Sequence, residues 1–244
     1  MSGGTVNPKR KMDTCRNTPW KPFREKKIEV RPGIPPQRKV YDRRMEKALA
    51  PDVTIWILAG GKSTRMGREK AFVEFEGRTL LARSLDLAHS VAAEACVVGS
   101  SEKFARFGSV VEDQFRDCGP LGGIHSALRQ SRTELNLMLA VDMPFVSRAL
   151  LEYLVEQARG APEAAVVIPR CEGGWQPLCA VYRREFAIAA ENALRAGRNR
   201  IDLLFGATPV RVIEKDELER AGIPCDAFLN MNTPEELQPQ KGSH

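Results

Sequence analysis

The chain has 244 residues, 43% of them hydrophobic and 28% charged, a soluble globular composition with room for one core of ordinary size. Its longest apolar runs, such as Val53 to Ala59, are strand-sized and fall far short of the ~18 residues of a membrane-spanning helix, so no membrane span is expected. The formal charge of +6 divides into +9 over residues 1–50 and −3 over the remainder, so the basic character belongs to the tail.

Residues 1 to about 45 hold six of the sixteen prolines, few apolar residues and no sustained period. Such a stretch cannot bury enough surface to offset the entropy of ordering it. A disordered, basic, Pro-rich extension over residues 1–50 is expected, with at most a marginal helix from Tyr41 to Leu49. Arg43 and Arg44 suggest a twin-arginine export signal, but Glu46, Lys47 and Asp52 follow at once, so export is not expected.

From Val53 onward apolar runs alternate with amphipathic segments, each pair separated by Gly, Pro or Asp. That is the pattern of βα units on a largely parallel sheet, here in one domain over residues 51–240. The predicted strands are Val53 to Leu58, Ala95 to Val98, Leu135 to Val141, Ala164 to Ile168 and Leu178 to Tyr182, with weaker patterns at Val210 to Ile213 and Phe228 to Leu229. The predicted helices are Leu80 to Ser90, Gly122 to Gln130, Arg148 to Ala158 and Glu185 to Ala196. Thr233 opens a last one, with Pro234 at its first position and Glu236 closing a capping box. The six cysteines form no C-x-x-C pair and the three histidines are far apart, so neither a zinc site nor a disulfide framework is indicated. Cys96, Cys179 and Cys225 lie in or beside apolar segments, as free buried thiols in a reducing compartment do.

Ligands of open α/β sheets bind outside the carboxyl ends of the strands, so chemistry is sought just after each strand. After the first lies Leu58-Ala-Gly-Gly-Lys-Ser-Thr-Arg-Met-Gly-Arg-Glu-Lys70. Gly60, Gly61 and Gly67 let the backbone approach a ligand, successive N–H groups can nest phosphate oxygens, and Arg65 and Lys70 add positive charge. The string is neither a G-x-x-x-x-G-K-[ST] loop nor a G-x-G-x-x-G fingerprint. Asp142, in Leu139-Ala-Val-Asp-Met-Pro, offers the carboxylate that Mg²⁺ shares with phosphates and water. It could also make a turn bond, although Ser147 is the better cap for the next helix. Val110 to Gly123 contains Asp113 and Gly119-Pro-Leu-Gly-Gly123, which reads either as an anion site at a helix N-terminus or as a plain turn and helix start. Gln176-Pro-Leu and Asn230-Met-Asn232-Thr-Pro complete the set, with Asn232 equally suited to a turn ahead of a capped helix.

The string L-A-G-G-x-S-x-R-M-G-x-x-K resembles the nucleotide-binding signature of the molybdenum cofactor nucleotidyltransferases, and the resemblance runs from Val53 to about Leu237. It implies a three-layer, Rossmann-like α/β fold of the nucleotide-diphospho-sugar transferase type. It also implies a cytoplasmic, Mg²⁺-dependent enzyme that moves GMP from GTP to molybdopterin and releases pyrophosphate. Leu58, Ala59, Gly60 and Gly61 would hold the nucleotide, Arg65 and Lys70 would meet the triphosphate and act in catalysis, and Asp113 would contact GTP. D-M-P matches the family's metal-binding aspartate, here Asp142, while Gly119, Pro120, Gly122, Gln176, Asn230 and Asn232 would lie toward the pterin.

Within the resemblance L-A-G-G goes with guanylyl transfer and L-A-A-G with cytidylyl transfer, so a CTP-dependent molybdopterin cytidylyltransferase is the near alternative. The second strand departs from the guanylyl pattern, ending in Val97-Val-Gly99-Ser-Ser where relatives carry an Asn in contact with the nucleotide. A sugar-1-phosphate nucleotidylyltransferase would share the fold, but usually has Pro-Lys where this chain has Glu69-Lys70. The non-enzymatic alternative is an interaction protein with a basic tail. Nucleic acid is not its expected partner, since the tail has only Trp20, Phe23 and Tyr41 as aromatics. A molybdenum-insertion or molybdoenzyme maturation protein would suit the tail better.

Overall fold

A computed structural model describes residues 49–60 and 69–231. The tail, nearly all of the expected helix at 41–49, the expected helix at Thr233, and Gly61, Arg65 and Asn232 lie outside the described residues.

The strands are β1 (Ala50–Leu58), β2 (Glu74–Phe75), β3 (Arg78–Thr79), β4 (Ala92–Val98), β5 (Val110–Val111), β6 (Leu135–Ala140), β7 (Val166–Cys171), β8 (Gly174–Trp175), β9 (Cys179–Arg183) and β10 (Val210–Glu214). The α-helices are α1 (Leu80–Val91), α2 (Ser101–Phe104), α3 (Pro120–Gln130), α4 (Arg148–Arg159), α5 (Phe186–Arg195) and α6 (Lys215–Arg220). The main sheet runs β10-β7-β9-β6-β1-β4-β5, with β8 beside β7 and a separate β2–β3 hairpin. The β1–β4, β1–β6, β4–β5 and β10–β7 pairs are parallel, whereas β9 is antiparallel to both β6 and β7.

Central strands are apolar on both faces because helices cover both. On one side Ile55, Ile57, Leu137 and Val181 pack with Leu81, Ala88, Leu151 and Leu154 of α1 and α4. On the other, Trp56, Met138, Ala180 and Tyr182 pack with Ile124, Leu128, Phe186 and Ala190 of α3 and α5. The result is the expected three-layer arrangement. Thr79 caps α1 by accepting from the Ala82 N–H at 3.2 Å, and Ser147 caps α4 by accepting from the Leu150 N–H at 3.2 Å. Ser147 thus takes the capping duty that Asp142 could otherwise have had.

Two expectations are corrected. Phe228–Leu229 is no strand, because Phe228 ends a 3-10 helix from Cys225. Cys225 is not a free thiol either: it is bonded to Cys171 across 54 residues, with Cα atoms 6.0 Å apart. Spacing in sequence carries no sign of that pairing, which requires the end of β7 and the chain after α6 to meet in space. Cys96 and Cys179 are buried free thiols as expected.

A polar contact joins β1 and β6 within the core. The Trp56 Nε1–H donates to Asn136 Oδ1 at 2.9 Å, and both residues are buried. An Asn136→Ala change leaves the indole N–H without an acceptor and is expected to cost about 1–3 kcal/mol, measured by chemical denaturation. An unchanged midpoint would show that the bond contributes nothing net.

Candidate active site

Register levels the carboxyl ends of three neighbouring strands, since Leu58 pairs with Val98 of β4 and with Ala140 of β6. A cavity of about 960 Å³ opens there, at the upper end of small-molecule sites and large enough for a nucleotide with part of a second substrate. Its wall takes Leu58, Ala59 and Gly60 from the end of β1, Val98, Gly99 and Ser100 from the end of β4, and Ala140, Val141 and Asp142 from the end of β6. Asp113, Arg116, Gly119 and Pro120 border it on the β5 side.

Lys70, at the start of a 3-10 turn from Lys70 to Phe72, donates through Nζ to Asp142 Oδ2 at 2.7 Å. Both side chains are about a fifth exposed, at 23% and 19%. The pair joins the described end of the phosphate loop to the acidic residue after β6. No group of three or more His, Cys, Asp or Glu side chains clusters as a metal cage among the described residues. The Asp142 carboxylate is the type of oxygen ligand that Mg²⁺ takes when phosphates and water fill its other positions, whereas the Lys70 ammonium cannot ligate a metal.

Asp113 accepts from the Phe115 N–H at 3.0 Å and from the Ser126 hydroxyl at 3.4 Å. Burial lifts its carboxyl to about 6, against those two hydrogen bonds and the Arg116 charge, which pull the other way. Gly122 explains how the carboxylate fits: a Cβ there would lie 2.8 Å from both Asp113 oxygens and from the Phe115 carbonyl. Gly122 therefore lies behind Asp113 and not in the cavity wall. At the β4 end, a Cβ on Gly99 would lie 2.7 Å from the Phe104 ring, so no side chain fits at that position.

The structure brings Leu58, Ala59, Gly60, Lys70, Asp113, Gly119, Pro120 and Asp142 around one cavity. Gln176 is not in its wall; its Nε2 donates to the Gly174 carbonyl at 3.2 Å, although the neighbouring Leu178 does line the cavity. Asn230 is exposed and outside the wall, but the next residue returns to the site, the Met231 N–H donating to the Asp142 carbonyl at 2.8 Å. Sequence reasoning missed Ser126, Arg116 and the Lys103–Glu69 ion pair at 2.9 Å. Ser126 follows Gly122 by one helical turn, a spacing that could have linked it to Asp113.

Residues 55–208 match the family model of the MobA-like NTP transferase domain. The chain belongs to this family. A probable molybdenum cofactor guanylyltransferase of Pelotomaculum thermopropionicum is 36% identical over 183 residues, 74% of this chain and 88% of that one. The molybdenum cofactor guanylyltransferase of Desulfosudis oleivorans is 33% identical over 189 residues, 76% and 93% of the two chains. Among solved structures, molybdopterin-guanine dinucleotide biosynthesis protein A from Archaeoglobus fulgidus superposes with a TM-score of 0.66 at 28% identity, covering 75% of this chain and 94% of that one. In this MobA-like domain no described helix is long and apolar enough to cross a membrane.

The raised Asp113 carboxyl has a consequence for stability. An unfolded aspartate releases its proton near pH 4, while folded Asp113 keeps it to about 6. Between those values the folded MobA-like domain binds the extra proton, so this group's contribution falls as pH rises through the window. Asp113→Asn, neutral throughout, is expected to remove that fall. Melting temperatures of both proteins from pH 4 to 7 test it, and parallel curves would refute it.

Proposed function

We infer that the protein transfers GMP from GTP to the terminal phosphate of molybdopterin, releasing pyrophosphate and forming the guanine dinucleotide form of the cofactor. The observation that carries this reading is the Lys70–Asp142 contact at 2.7 Å in the wall of a cavity at the strand ends. Relatives at 33–36% identity that bear the guanylyltransferase name supply the substrates.

The nucleophile is a phosphate monoester, already an anion at neutral pH because its second pKa is about 6. No general base is then needed, and none of the described cavity residues is a histidine. His125 is buried, and desolvation holds its ring below the usual histidine range. Lys70, with Arg65, orients the triphosphate and neutralises charge gathering on the departing pyrophosphate. Asp142 would hold Mg²⁺, which when bound adds charge neutralisation on the same phosphates. Gly60 and Gly61 would give the nucleotide room, Asp113 borders the nucleoside, and the pterin would meet Gly119 and Pro120 and, past the cavity wall, the segments that carry Gln176, Asn230 and Asn232. A cytoplasmic location, and a tail that docks a cofactor-handling partner, belong to the same reading.

Calorimetric titration with GTP, CTP and ATP in the presence of Mg²⁺ tests the reading, followed by pyrophosphate release with molybdopterin. A preference for GTP is expected, and no nucleotide binding would overturn the enzyme. Lys70→Ala is expected to lower kcat by roughly 10²- to 10³-fold, and a value within twofold of wild type would remove Lys70 from the mechanism. Gly60→Ala tests base choice. Its new Cβ meets Val98 O at 3.7 Å and Gly99 Cα at 3.8 Å, ordinary contacts, so the fold tolerates it. One methyl in a binding pocket shifts selectivity about tenfold or more, and the GTP-to-CTP ratio is expected to fall by that factor.

A further inference from the structure

The sheet order β6-β1-β4-β5 places the ends of β4 and β5 across β1 from Asp142, with α2 reaching back toward the Lys70 turn through the Lys103–Glu69 pair. With a triphosphate at the Lys70–Asp142 pair, the β4–β5 side is the part of the cavity left for the nucleoside. Gly99 supplies no side-chain contact to a base there, and a Cβ at that position would strike the Phe104 ring. Most neighbouring charged groups are already engaged. Glu112 accepts from the Ser101 N–H at 3.0 Å, Asp113 is held by Phe115 and Ser126, and Lys103 donates to Glu69 at 3.0 Å.

Two cavity residues are not engaged. Glu102 on α2 and Arg116 after β5 are exposed and line the cavity, yet neither has a hydrogen bond or ion pair among the described residues. Arg116 is the more telling. Acids outnumber cations in this wall, and Asp113 and Asp117 are close by, yet the guanidinium pairs with neither. The loop is pinned by buried Phe115 on one side and buried Cys118 on the other, with Asp117 between them in the left-handed region at φ 63°. Such a conformation is costly for a non-glycine residue and marks functional loops.

Guanine presents two forked edges. N1–H and the N2 amino group donate on one, and O6 and N7 accept on the other. A carboxylate can accept the first pair and a guanidinium can donate to the second. Adenine carries an amino group in place of O6 and lacks the N2 amino group, and cytosine has no N7 edge. We propose that Glu102 and Arg116 read the two edges of guanine; the inference rests on the GTP-dependent reading above.

Two analogues separate the contacts: 7-deaza-GTP has a C–H in place of N7, and ITP lacks the N2 amino group. Each is titrated with Mg²⁺ into the full chain, into Arg116→Ala and into Glu102→Ala. Wild type is expected to bind GTP about tenfold more tightly than either analogue. In Arg116→Ala the 7-deaza-GTP penalty should shrink to within twofold while the ITP penalty stays; in Glu102→Ala the reverse is expected. Penalties that persist unchanged in both variants, with wild type still preferring GTP, would overturn the base-reading assignment alone. Failure of the wild type to prefer GTP would overturn the guanylyl reading first, and the wild-type titration shows that without either variant. Neither side chain has a hydrogen bond or ion pair among the described residues, so both variants are expected to keep the wild-type melting temperature.

Discussion

Parallel pairing of β1 with a strand on each side is the constraint on which the site depends. Leu58 is level with Val98 and with Ala140, so three chains leave the sheet at neighbouring points. Their backbone groups then satisfy one another, as Ala59 and Gly60 both donate to the Val98 carbonyl and Val141 donates to that of Leu58. The packing makes this register hard to shift. Ile55 and Ile57 belong to one helix layer and Trp56 to the other, so a slip of one residue would exchange the two faces and strand the indole N–H that Asn136 accepts. The position of the ligand loops is thereby decided by the core beneath them.

On that frame the charges are arranged in pairs that a ligand can divide. Half-buried ion pairs add little to stability, because desolvation offsets most of the attraction. Lys70–Asp142 and Lys103–Glu69 are therefore better understood through the polyanionic substrates of the proposed reaction than through folding. In each case a carboxylate holds a lysine at the cavity, where the phosphates of the proposed substrates would compete for it. Asp113 differs, being held in place by hydrogen bonds and by a glycine that makes room for it, with no ion pair among the described residues. A carboxyl raised to about 6 loses its charge more readily than an exposed one when a second anion approaches.

The parts of the fold legible in the sequence were those with strong local signals. The apolar runs of β1 and β6 and the stripes of α1 and α4 lie within a few residues of their expected bounds, and Ser147 caps α4 as its position suggested. Gly60, Lys70, Asp113 and Asp142 were visible because each follows a strand or closes a motif. What was missed lacks local signal. The β2–β3 hairpin has two-residue strands, and α6 starts from a Glu214–Glu217 capping box, although Glu is not a favoured cap. The Cys171–Cys225 bond and Gly122's role against Asp113 depend on approach in three dimensions, and no spacing encodes them. Arg116 carries no local signal, and only its buried neighbours Phe115 and Cys118 show that it is fixed at the cavity.

The reversed strand β9 explains why the second half of the cavity was harder to see. For a parallel strand, the residues that meet the ligand follow its last buried position. β9 runs against β6, with Cys179 level with Leu139, so the residues that reach the same rim are those that precede it. Leu178 lines the cavity for this reason, and its carbonyl accepts from the Ala140 N–H at 2.8 Å, tying the segment to the end of β6 next to Asp142. The chain comes back to the same aspartate once more through the Met231 N–H. The residues proposed for the nucleotide are thus carried by parallel strands and follow them in sequence, whereas the segments around Gln176 and Asn230 arrive from an antiparallel strand and a 3-10 turn. A site for two substrates can in this way vary one side without moving the register that supports the other.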